Sequence, residues 1–133
     1  RLVSHASKVL FSDITPYIYI QHPLSVRHTP NPEKRLKYLK DDIVILDSFK
    51  TLSEEYSGKD NELADYIAEH RKNVLLGNIL AIYIEKKGLK KLGIYSAILD
   101  EYRKCNYYPI QFTYKSFKKR ILSMLLNNSF MMR

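Results

Sequence analysis

Apolar side chains recur at steps of three and four from Leu36 onward, through Leu39, Ile43, Leu46, Phe49, Leu52 and Tyr56. Steps of that size return to one side of an α-helix, so the pattern predicts a long amphipathic helix. Asn31-Pro32-Glu33 marks its start: Asn caps, Pro suits the first helical position, and an early carboxylate complements the helix dipole. Ser57-Gly58 marks its end. Asp60-Asn61 then predicts a second start, with Leu63, Tyr66 and Ile67 as the buried face. The pattern leaves open whether this helix turns at Asn73 or runs on.

From Val74 to Leu125 the periodicity is densest and predicts three further helical stretches. The first carries Leu75, Leu76, Ile79, Leu80, Ile82, Tyr83 and Ile84, apolar nearly all round, and must be covered on several sides. Gly88 is expected to stop it. Leu89, Leu92, Tyr95, Ile98, Leu99 and Tyr102 form a single stripe, with Asp100 and Lys104 expected to pair at i,i+4. Asn106 and Pro109 end that stretch. Thr113 is expected to cap the last helix, turning Phe117, Ile121, Met124 and Leu125 inward and Lys115, Lys118, Lys119 and Arg120 outward.

Prolines at 16, 23, 30 and 32 interrupt the chain before this point, so residues 1–31 read as an extended arm. The expected organisation is therefore an arm over 1–31, N-terminal helices over 32–72, a repeat-like helical hairpin plus a following helix over 73–126, and a tail over 127–133. The fold class is all-α, with antiparallel helical hairpins of repeat or solenoid type.

Charge narrows the choice of partner. Lys and Arg number 22 against 14 acids, a net +8, which favours an anionic ligand, nucleic acid ahead of a membrane surface. Lys34, Arg35, Lys37 and Lys40 fill the first turns of the first helix against its dipole, either to serve a partner or as a solvated face. The lone Cys105 excludes an internal disulfide and fits a reducing or matrix-like compartment. No apolar run reaches the roughly 18 residues that span a bilayer. The opening RLVSHASKVLFS, basic and acid-free, looks like the end of a mitochondrial presequence, which points to the mitochondrial matrix, with nucleus or cytoplasm as alternatives.

The residues that carry most chemistry are not arranged for it. His5, His22, His28 and His70 have no zinc-like spacing with Cys105. Asp41-Asp42 and Glu54-Glu55 are sequence neighbours rather than one-face pairs. Four glycines form no phosphate-cradling loop. A non-enzymatic protein without a cofactor is expected.

The segment Ala97-Ile-Leu-Asp-Glu-Tyr-Arg-Lys-Cys-Asn-Tyr-Tyr-Pro109, followed by Ile-Gln-Phe-Thr-Tyr-Lys-Ser-Phe117, resembles the junction between two pentatricopeptide repeats. Asp100-Glu101, Asn106, Pro109 and Thr113-Tyr114 stand at the matching positions, and Asn78 with Tyr83 resembles the first helix of the preceding repeat. The resemblance covers residues 74–125. It implies a helical-repeat fold that holds RNA, with Asn78 and Ile110 at one base-reading pair and Lys115 opening the next. Asn fits the family's code and Ile does not, which shifts the expected contact toward the RNA backbone. Lys86, Lys87, Lys90, Lys91, Lys115, Lys118, Lys119 and Arg120 are the expected phosphate contacts, and Tyr107 and Tyr108 the expected stacking platforms. The expected function is an RNA-associated protein of mitochondrial gene expression, a ribosome component or transcript-binding factor holding rRNA or mRNA beside other proteins of a complex. Two alternatives stand beside it: a winged-helix-like DNA-binding or assembly domain, and a structural subunit that docks on other proteins.

Overall fold

The computed structural model describes residues 30–128, and these form five helices: α1 (Pro32–Tyr56), α2 (Asn61–Ile84), α3 (Lys86–Lys91), α4 (Tyr95–Lys104) and α5 (Phe117–Asn127). Among the described residues there is no strand. The wing that a winged-helix domain requires is therefore not formed by residues 30–128. The arm up to residue 29 and the tail beyond Asn128 lie outside the described residues.

α1 and α2 form one long antiparallel hairpin, and both begin as their caps dictate. The Asn31 side chain accepts from the Lys34 N–H at 2.9 Å, and Asp60 accepts from Leu63 N–H at 3.0 Å. α2 continues without interruption through Asn73, so the expected boundary at 72/73 falls inside one helix. Its covering explains its composition. Leu75, Leu76, Ile79 and Ile82 are buried, and with Leu39, Ile43 and Leu46 of α1 and Ile98, Leu99 and Tyr102 of α4 they make the core. The second helix's expected inner face is corrected in part: Ile67 is buried as expected, together with Ala64, whereas Leu63 and Tyr66 stand 36% and 69% exposed.

Gly88 does not stop a helix. The break comes at Glu85, and Gly88 lies within α3. The chain reverses instead at Gly93, whose φ of +73° is a left-handed conformation that suits glycine. Gly93 N–H donates to Lys90 C=O and Ile94 N–H to Leu89 C=O, which is a Schellman closure with buried Leu89 and Ile94 as its apolar contact. α4 ends the same way with Asn106 at φ 57°. There Asn106 N–H donates to Arg103 C=O, Tyr107 N–H to Tyr102 C=O, and both tyrosines are buried.

Residues 105–116 carry the chain from α4 to α5 as a tether fixed at several points. Tyr114 is buried and its hydroxyl donates to Lys72 C=O at 3.0 Å. The Asn127 side chain accepts from Ile110 N–H at 2.7 Å and donates to Ile110 C=O at 2.8 Å. The Tyr108 hydroxyl donates to Leu126 C=O. Anchoring Tyr114 holds the backbone extended past Thr113, so α5 starts at Phe117 rather than after Thr113.

The same anchors set α5's rotation and reverse its expected face. Leu126 and Ser123 are buried, while Phe117, Ile121, Met124 and Leu125 are exposed. On α4, Asp100 pairs with Arg103 and Glu101 with Lys104, both at i,i+3, in place of the expected Asp100–Lys104 pair.

Burial pushes the Tyr114 hydroxyl from the usual 10.0 up to about 12. The folded chain therefore keeps a proton that the unfolded chain releases, so stability is fully present below about pH 10 and is lost as the pH climbs toward 12. Alkaline unfolding followed by circular dichroism should show this loss, and Tyr114→Phe should make it shallower. An unchanged slope in that variant would exclude Tyr114 as its source.

Candidate nucleic-acid interface

The eight expected phosphate contacts separate into two groups. α3 is built on one anchor, buried Leu89, with lysines around it. Lys87, Lys90 and Lys91 are exposed and Lys86 is half-buried. The Lys90 ammonium lies over the Tyr95 ring, 5.6 Å from its centroid. The second group is on and just before α5. Lys115, Lys118 and Arg120 are exposed, whereas Lys119 is half-buried and donates to the Asn73 side chain at 2.6 Å. Lys119 thus fastens α5 to α2.

α5 meets α2 near Lys72 and Asn73, and α3 follows the break at Glu85. At 1.5 Å per residue these points are about 18 Å apart along α2. The fold presents two cationic patches rather than one continuous face.

Four expected contacts are corrected. Asn78 is turned into the molecule, its amide nitrogen buried, as is the Tyr102 hydroxyl, and it does not present a base-reading edge. Ile110, its expected partner, is buried under the Asn127 clamp. Tyr107 and Tyr108 are buried rather than free for stacking. The Tyr107 hydroxyl donates to Asp47 on α1 and accepts from Arg71 on α2, whose guanidinium lies 5.3 Å from the Tyr107 ring centroid and 5.4 Å from that of Phe112. The reason is common to both tyrosines: each has an acceptor within the fold, so its ring fills the space between the tether and the helices. Burial raises both hydroxyls above the usual tyrosine range, with Asp47 adding to the effect at Tyr107.

Arg35 is likewise not a solvated cation. It is buried and pairs with Glu85, joining the start of α1 to the break between α2 and α3. Cys105 is exposed at the end of α4, and partial burial followed by the Asp47 and Glu101 carboxylates pushes its thiol upward, away from a nucleophilic thiolate at neutral pH. Among the described residues no group of three or more His, Cys, Asp or Glu is placed to hold a metal.

Tyr66, which periodicity placed inward, instead stacks on His70 at 6.4 Å between centroids, with Phe49 meeting His70 edge-on at 5.1 Å. Glu62, Asp65 and Glu69 share its helical neighbourhood, which makes it a poor platform for a polyanion. This reflects a wider segregation. Residues 70–133 hold 13 Lys and Arg against three acids, while residues 1–69 hold 9 against 11. The three acids of the second half are all ion-paired: Glu85 with Arg35, Asp100 with Arg103, and Glu101 with Lys40 and Lys104. Among the described residues from 70 onward, Lys87, Lys91, Lys115, Lys118 and Arg120 are exposed cations with no paired carboxylate.

No helix of the described residues is long and apolar enough to cross a membrane. Comparison with protein-family models, with curated proteins and with solved structures finds no match.

Proposed function

We propose that the chain is a non-enzymatic, RNA-associated helical protein of mitochondrial gene expression, gripping the sugar–phosphate backbone rather than reading bases. The observation that carries this reading is the set of five exposed cations without carboxylate partners on α3 and around α5. Unneutralised cations at fixed points on a rigid scaffold are what a polyanion with regularly spaced charges requires. The likeness of residues 74–125 to pentatricopeptide repeats favours RNA among polyanions, and the lone Cys105 fits a reducing, matrix-like compartment. The inward-turned amide of Asn78 and the burial of Ile110 favour backbone contact over sequence readout. A ribosomal RNA or a transcript would both present such a backbone, with other proteins of a complex alongside.

Binding to single-stranded RNA should weaken with salt by about 0.7 in log–log slope per neutralised phosphate, or about 3.5 if all five cations engage. Lys87→Glu with Lys91→Glu should reduce both the affinity and the slope, the latter by about 1.4 if each lysine neutralises one phosphate. A titration showing no RNA binding, or binding indifferent to salt, would refute the proposal.

A further inference from the structure

The outward side of α5 is neither a plain basic face nor a core face. Phe117, Ile121, Met124 and Leu125 fall in one arc of the helix, and Phe117 and Met124 are 69% and 72% exposed. The orientation is held by the other side of the helix: Leu126 is buried, Tyr108 bonds its carbonyl, Asn127 clamps Ile110 and Lys119 holds Asn73. Rolling the arc inward would break all of these contacts.

The rims of the arc are cationic on both sides. At about 100° per residue, Lys118 lies about 100° round from Phe117 in one direction and Arg120 about 60° in the other. Both are exposed, Lys115 adds a third cation just before the helix, and no Asp or Glu occurs anywhere from Tyr102 to Arg133. A second copy of this helix laid on the first would bring like charges together. RNA would answer the rims but leave four large apolar side chains against ribose and phosphate. An anionic lipid surface answers both parts at once, because acyl carbon lies beneath a shallowly sunk helix while phosphates surround it on every side. The helix is about 16 Å long and would lie in the interface plane.

We infer that α5 is an interfacial anchor that lays its Phe117–Ile121–Met124–Leu125 stripe into an anionic membrane surface, with Lys118 and Arg120 on lipid phosphates. This goes beyond the RNA reading: it shares Lys118 and Arg120 with that reading, but its apolar stripe is one that RNA binding does not need.

The test is co-sedimentation of the full chain with phosphatidylcholine vesicles and with mixed phosphatidylcholine–phosphatidylserine vesicles. The chain should partition to the mixed vesicles and far less to the neutral ones. Phe117→Ser with Met124→Ser should lower that partitioning roughly tenfold or more, with unchanged helical circular dichroism and unchanged RNA affinity. Lys118→Glu with Arg120→Glu should also lower it at least about tenfold. Lys87→Glu with Lys91→Glu, the RNA-weakening pair, should leave it intact. The inference is overturned if the native chain ignores anionic vesicles, if the Phe117/Met124 variant binds them as well as the native chain, or if the stripe instead holds a dimer that this variant dissolves. Vesicle binding without RNA binding would refute only the RNA reading, and the reverse would refute only this one.

Discussion

Leu46→Ala should be the most damaging single truncation, costing about 3–4 kcal/mol and lowering the melting temperature by roughly 15–25 °C. Leu46 has no exposed surface and sits in the cluster that joins α1 to α2 and α4. Removing its branched end takes away the transfer free energy of three carbons. It also leaves a void that two helices of 25 and 24 residues, capped at their starts, are poorly able to close. Val44, two residues earlier on the same helix, is 62% exposed, and Val44→Ala should change stability by less than about 0.5 kcal/mol. Thermal unfolding of the two variants side by side checks the contrast. Equal shifts would mean that α1 does not pack through the face described above.

Glu85→Ala should cost nearly as much, about 3 kcal/mol, by a different route. The partner left behind, Arg35, has a side chain only 5% exposed and lies 50 residues away in sequence. A buried guanidinium without its carboxylate is expensive, typically about 3–5 kcal/mol, and the lower end applies because Glu85 itself is about one-third exposed. The loss should therefore come mainly from keeping the Arg35 guanidinium buried without the Glu85 carboxylate, not from the attraction forgone. Arg35→Met in the Glu85→Ala background should recover part of it, since an apolar chain of similar length removes the buried charge. Denaturant unfolding of the two single variants and the double variant measures the coupling. If Arg35→Met brings no recovery, the penalty lies in the helix break at Glu85 and not in the ion pair.

Local signals were sufficient where one residue does one job. Asn31-Pro32, Asp60 and the apolar steps of α1 predict those helices, and the structure has them. The sequence was also explicit that Asn106 ends a helix, because Asn tolerates the left-handed conformation found there. The signal at Gly93 was equally present, with Leu89 and Ile94 spaced for a Schellman contact, but Gly88 looked like a stop because it follows two lysines. The face of α5 was not legible in the same way. The helix has a wide apolar arc from Phe117 to Leu125 and a narrow one through Leu122 and Leu126, and periodicity favours the wide arc for the core. The choice was made by Tyr108, Ile110 and Asn127, whose bonds join the tether to α5. Tyr107 misled for a related reason: its hydroxyl partners, Asp47 and Arg71, come from two other helices and leave no mark near residue 107.

The segregation of charge along the α1–α2 hairpin gives the described residues 30–128 a permanent electric dipole. Its turn, with Glu54, Glu55, Asp60, Glu62 and Asp65, is one pole; α3 lies at the far end of α2, and α5 meets α2 midway, beyond these acids. In the field of any extended anion such a body experiences a torque before it touches anything. It arrives already rotated, so collisions waste less time in the wrong orientation. The gain should appear as faster association at low ionic strength, and it should fade as the Debye length shortens below the length of the hairpin.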